Sequence, residues 1–338
     1  MARRIARWTR VSAFVFLSSV VMVTASERVY WYLGGATAET LVLTPLFYVI
    51  PALVGLWTLG SGPSSRLHQI VLGGAVFGFI VEGVLTTEIY LDGPLPAMAA
   101  LFVGWHGLLS VVSFWYLARR WLLDRQRHRL AIGAGLIGAY WGVWSIVYSL
   151  PPALTDFEDP YEIMNPAGFA VYALIVGAVF AAAHWLLGFV WPDRFAPGRW
   201  GGRGIVALCA GYAALAVLPV VIWAPIKLGV LLGGTLWLLS KSRESTPSEP
   251  SAIASLQGRV RPGDVAILMI MPLVAIATYG VMWSLDLSVV GLQTVYGVGT
   301  GIQIAAGLVA YIWAAYRSLR PSEQLTPLAG NASAEPNA

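Results

Sequence analysis

Residues 67–116 read LHQIVLGGAVFGFIVEGVLTTEIYLDGPLPAMAALFVGWHGLLSVVSFWY, two apolar runs either side of the acidic turn TTEIYLDGPLP. Such a stretch folds as an antiparallel helical hairpin, with the turn centred near Asp92. Glu82 lies about ten residues before that turn and His106 about twelve to fourteen after it, so at ~1.5 Å per residue they share one depth. The acid and the imidazole are then within reach of each other. A charge at membrane depth costs on the order of 2.5–3.5 kcal/mol on insertion scales, and the default reading of such a group is functional. The alternative is an internally satisfied pair that only fixes helix packing.

Composition places the hairpin in a bilayer. Of 338 residues, 57% are hydrophobic and 11% charged, against about 25% charged in soluble domains. The formal net charge of +4 sits in short clusters between apolar runs, the pattern of cytoplasmic loops and not of a nucleic-acid-binding face. No nucleic-acid partner is expected. The single cysteine, Cys209, excludes an intrachain disulfide and a thiolate metal site. His68, His106, His128 and His184 show no HxxxH or HExxH spacing, so no metal is expected. No cofactor is expected either, because a haem held by His106 and His184 needs both rings at one depth, and His184 sits nearer the cytoplasmic side.

Working outward, residues 1–25 combine a basic start with a short apolar run, which reads either as a cleaved signal or as a first span; the span is favoured because nothing downstream resembles a secreted domain. Further spans fall at 40–60, 67–90, 95–118, 130–150, 167–191, 204–221, 223–240, 264–284 and 288–316, each near the ~20 residues needed to cross. The run at 204–240 is divided at the prolines of 219–225. Arginines cluster in alternate loops (119–129, 194–203, 241–261, 317–320). Glu27, Glu39, Glu88, Asp92, the acids of 156–162 and Asp286 occupy the others. That alternation predicts an all-α, multi-pass protein of the cell membrane with about ten transmembrane helices and both termini cytoplasmic. Residues 1–320 form one transmembrane domain, with a flexible Ser/Pro-rich cytoplasmic loop at 241–262 and a disordered tail at 321–338. No inverted repeat is visible.

Helical periodicity then assigns faces. Gln293, Tyr296, Thr300 and Gln303, followed by Gly307 and Tyr311, share one stripe of the last span. Tyr48 shares a face of the second span with Thr44 and Thr58, and Pro51 frees the carbonyl of Phe47. Gly74 and Gly78 have the spacing of a close helix contact. Trp141, Trp144 and Tyr148 read as an interfacial aromatic belt. Glu27 and Glu88, at span ends, are placed at the mouth of a polar chamber that Glu82 closes and the last helix completes.

These residues suggest a proton-coupled secondary transporter or permease for a small, largely apolar solute. Glu82 and His106 would transfer the proton, and Tyr48, Glu27, Glu88, Trp105, Gln293, Tyr296, Thr300 and Gln303 would bind solute. The alternative is an intramembrane enzyme acting on a lipid or isoprenoid, with Glu82 and His106 as general acid and base. A weaker alternative is a structural subunit of a membrane complex. The expected partners are membrane lipid and a small-molecule or lipid substrate; no feature sets an oligomeric state.

Overall fold

The computed structural model describes residues 2–30, 38–86, 88–90, 94–149, 165–192, 195, 202–204, 206–207, 211 and 224–320. The turn at Asp92, the acids of 156–162, Cys209, residues 212–223 with the turn expected there, the tail from Pro321 and the side chain of Tyr148 lie outside them. The described residues are 87% helical, with no strand among them. It is an all-α polytopic membrane protein.

Its helices are α1 (Ala2–Val23), α2 (Ala38–Gly60), α3 (Leu67–Ile80), α4 (Leu95–Phe102), α5 (Ala118–Leu123), α6 (Arg127–Ser145), α7 (Pro166–Val190), α8 (Ala224–Glu244), α9 (Ala252–Ser255), α10 (Pro262–Val265), α11 (Ile270–Ser284) and α12 (Val289–Leu319). Seven spans among the described residues are long and apolar enough to cross a membrane, fewer than the ten expected. Two of the remainder are α6 and α8, which pack on the bundle by one face and expose the other, and which carry charge at one end, Arg127-His128-Arg129 in α6 and Lys241, Arg243 and Glu244 in α8.

Local chemistry sets the helix starts. The Asn165 side chain accepts the Gly168 N–H at 2.8 Å ahead of Pro166, and Ser288 caps α12 through the Gly291 N–H at 3.3 Å. The Gln69 side chain reaches back to the Arg66 N–H at 3.1 Å and opens α3. At the crossing of α3 with the segment after α4, a Cβ on Gly74 would stand 2.8 Å from the Gly107 carbonyl oxygen, and one on Gly78 would stand 2.8 Å from that of Phe102. Only glycine permits that approach, and it brings Glu82 onto His106.

One end of the bundle gathers the basic loops. Arg66 pairs with Glu249 at 2.6 Å, Arg127 with Asp264 at 2.6 Å, and His68 Nε2 lies 2.8 Å from Ser242 Oγ. The segment 245–261, expected to be flexible from its Ser/Pro content, is instead docked. Ser64 Oγ accepts the Ala252 N–H at 2.9 Å, and the Trp191 indole donates to the Ile253 carbonyl at 2.9 Å. Ala252, Ile253 and Leu256 are buried. These three buried side chains of SAIASL supply what serine and proline counts conceal, a small hydrophobic foot. Arg119, fully buried, donates to the carbonyls of His184 and Gly258 and lies 4.8 Å over the Trp191 ring.

The aromatic belt expected of Trp141 and Trp144 is also corrected. Both are buried, Trp141 edge-on to Phe169 and Tyr172, and Trp144 stacked on Tyr140. Residues Gly138 and Gly142 let α6 lie so close to α11 that this face turns inward and takes its tryptophans with it.

Candidate functional site

Among the described residues three stretches leave the α-helical ladder for π-helical turns: Thr24–Tyr30 after α1, Val81–Leu85 after α3 and Val103–Leu117 between α4 and α5. π-helix makes up well under ~1% of residues in proteins and concentrates at functional sites. Glu27 lies on the first stretch, Glu82 on the second and His106 on the third. Glu27, Glu82 and His106 thus sit on wound-open backbone, whereas Tyr48 lies on the regular helix α2.

Glu82 and His106 are 1% and 0% exposed, and Oε1 of the acid lies 2.5 Å from Nε2 of the ring, a separation bridged by one proton. The second carboxylate oxygen accepts the Thr86 hydroxyl at 2.6 Å. The imidazole stacks on Trp105 with centroids 4.3 Å apart, and Phe77 and Phe102 close two further sides at 6.0 and 6.4 Å. Trp105 is itself held by its indole N–H on the Ser26 carbonyl at 3.2 Å. Among the described residues His106 Nδ1 and Ser110 Oγ, four residues further along, are buried without a hydrogen-bond partner. A buried polar atom without a protein partner calls for one from elsewhere, a water or a polar atom of a ligand.

Glu27 is not at a mouth. It is 7% exposed, accepts the Tyr48 hydroxyl, and interacts electrostatically with both His106 and Glu82. A π turn rises less per residue than an α-helical one, so Glu27 stays deeper in the bundle than an α-helical count suggests. Glu88, in the turn Glu88–Tyr90, is exposed and couples electrostatically to Glu27, so it marks the outer edge of the cluster. Arg28 is 3% exposed; it donates to Thr44 Oγ1 at 3.2 Å, and its carbonyl accepts from Tyr172 at 2.9 Å. Thr86 and Ser110 are the contributors that sequence reasoning left out of the site, and Arg28 stands next to Glu27 on the same turn. Thr86 and Ser110 follow from the i+4 spacing to Glu82 and His106, whereas Arg28 carries no signal beyond its neighbour Glu27.

The stripe on α12 divides. Gln293 is exposed and Tyr296, 40% exposed, rests against Trp144 at 5.7 Å. Gln303 is buried and donates to the Tyr140 hydroxyl rather than to the carboxylate cluster, and Thr300 is half-buried. The buried seam of α12 runs through Leu292, Gly299, Gln303, Gly307, Ala314 and Ser318. At 100° per residue it is rotated by roughly 40° from the polar stripe, enough to leave Gln293 outside. Small residues, not polar ones, set that seam: Gly307 meets the Ala100 carbonyl and Gly104 meets the backbone of Gln303.

Among the described residues no group of three or more His, Cys, Asp or Glu side chains is arranged to hold a metal ion. What the cluster can do is hold a proton between an acid and an imidazole in a water-poor site, with a second acid beside it. No protein-family model matches the chain, and no solved structure matches it. A stretch of 196 residues is 26% identical to a protein of Mycoplasma pneumoniae described as "Uncharacterized protein MG294 homolog", covering 54% of this chain and 41% of that protein. The chain thus spans less than half the length of a curated relative that it matches. That relative's description names no activity, so the functional reading rests on the geometry of the site.

Proposed function

We propose that this chain is a proton-coupled permease of the cell membrane for a small, largely apolar solute, with Glu82 and His106 exchanging the coupling proton. The observation that carries the reading is the meeting of Glu27, Glu82 and His106 in one buried cluster, each on a π-helical turn. Buried ionisable groups are costly to maintain and mark proton and ion routes. In this reading Tyr48 holds Glu27, Thr86 steadies Glu82, and Trp105 fixes the ring while presenting an apolar wall to the solute. The orphaned Nδ1 of His106 and the hydroxyl of Ser110 receive the solute's polar atom or a water that relays the proton.

The test uses purified protein in vesicles loaded with a pH-sensitive dye and a panel of lipophilic amines, alcohols and weak acids. The expected result is proton movement driven by one class of solute, lost in Glu82→Gln while solute exchange survives. Coupled proton flux that is unchanged in Glu82→Gln rejects the role of the carboxylate. The aromatic enclosure of His106 by Trp105, Phe77 and Phe102 favours a second reading, acid–base chemistry on a lipid or isoprenoid. Turnover of a lipid extract by detergent-solubilised protein with no gradient, abolished in His106→Gln, selects that reading over the first.

A further inference from the structure

A cavity of about 220 Å³ lies away from the carboxylate cluster, between the stretch Ser113–Trp121 on one side and 130–137 of α6 on the other, with Phe180, Leu268 and Met271 as its floor. The lining is apolar apart from Ser113 and backbone. Its floor is buried, whereas Leu136, 68% exposed, and the half-buried Leu117, Trp121 and Gly133 form an open rim on the outer face of the bundle. On the far side, α12 meets α6 through Tyr296, Gly299 and Gln303, against Trp144 and Tyr140, and then runs along α3, where Tyr311 meets Phe79 and Trp313 meets His68. Beyond that point nothing from α12 lines the wedge.

The groove reaches the basic end of the bundle. From Trp121 back to Ser113 is eight residues, or ~12 Å of helix, so it spans the outer part of one leaflet's hydrocarbon. Above it the turn joining α5 to α6 exposes Arg120, Arg125, Arg127 and Arg129 with His128. Arg259 and Arg261, both exposed, are brought to the same corner by the bonds from Arg119 to Gly258 and from Arg127 to Asp264. Against six arginines this corner holds the acids Asp124 and Asp264. The volume is below the roughly 300–1,000 Å³ of a drug-sized pocket, and it opens sideways to lipid rather than to water.

We infer that this groove is a site for an anionic phospholipid, one acyl chain lying between α5 and α6 and the phosphate meeting the arginines of the α5–α6 turn. An acyl chain matches an apolar wedge open to the bilayer, and an anionic head group matches the excess of guanidinium groups at its mouth.

Trp121 on the rim supplies the readout. The protein is reconstituted in bilayers containing brominated phosphatidylglycerol or brominated phosphatidylcholine, and the quenching lost in Trp121→Phe isolates the signal of the groove. Engagement of one or two arginines at ~1 kcal/mol each predicts a preference for phosphatidylglycerol of about 5- to 30-fold. Arg125→Gln with Arg129→Gln, both at exposed positions, should reduce that preference towards unity while leaving phosphatidylcholine quenching unchanged. Ala134→Phe, which fills the wedge, should remove Trp121 quenching by either lipid. Equal quenching by the two lipids, or a preference untouched by the double arginine variant, overturns the head-group assignment. Quenching that persists in Ala134→Phe, or that is displaced by self-association of the chain as concentration rises, overturns the groove as a lipid site.

Discussion

Replacing Glu82 by leucine probes the pair directly, because leucine keeps the volume and deletes both acceptors. Glu82 accepts from Thr86 at 2.6 Å and shares a proton with His106 at 2.5 Å. Thr86 is exposed and finds another partner at little cost. His106 does not: its Nδ1 already lacks a partner, so in Glu82→Leu both ring nitrogens are buried and unpaired. A stranded group of that kind costs ~1–3 kcal/mol in addition to a lost bond of ~1 kcal/mol, so the variant should lose about 2–4 kcal/mol. His106→Leu strands the carboxylate and should lose about 3–5 kcal/mol. With both replaced nothing polar is stranded, and two apolar side chains of similar volume should bring the loss back to about 1 kcal/mol. The cycle therefore predicts non-additivity of several kcal/mol, well above the ~0.5 kcal/mol expected of independent sites. The assay is reversible unfolding in mixed micelles of mild and denaturing detergent, followed by circular dichroism. Losses that simply add in the double variant refute the contact on which the site is built.

Three further outcomes check other parts of the structure. In Gly78→Leu the new side chain meets the Phe102 carbonyl and His106 Cβ, so the variant should be destabilised by about 1–3 kcal/mol and lose coupled proton flux, whereas Gly229→Leu, at a position with open space, should do neither. Arg119→Met removes the donor to Gly258 and His184; limited proteolysis should then cut within 245–261 at least severalfold faster, and an unchanged rate shows the segment is held without it. With Cys209 replaced by serine, cysteines introduced at Ser61 and Glu88 should be labelled from opposite faces of sealed vesicles, since Ser61 adjoins the basic end and Glu88 the acidic one; labelling of both from one face rejects the alternation of loops.

The all-α membrane class was legible because hydropathy acts over twenty residues at a time, and the Glu82–His106 encounter because two residues equally far from a turn share a depth and can meet. The rotation of α12 was not. Polarity marked Gln293 and Tyr296, but glycine at 299 and 307 set which face approaches its neighbours, and backbone proximity outranks side-chain polarity where both sides are apolar. The docking of 245–261 was hidden for a related reason: Ile253 and Leu256 are too few to raise a window average, yet each is buried. Nothing in TASERVY, VEGVL or VGWHG announces a π turn, because the extra residue is accommodated by tertiary contacts that local propensity does not encode.

Those three turns have a mechanical consequence. A π turn holds one residue more than its α-helical equivalent, so returning it to the regular ladder re-aims every side chain beyond it by about 100°. Glu27, Glu82 and His106 each stand on such a swivel. Rewinding Val81–Leu85 would therefore turn Glu82 about its helix and away from His106, while Gly74 and Gly78, which precede that turn, keep their crossing with the segment after α4.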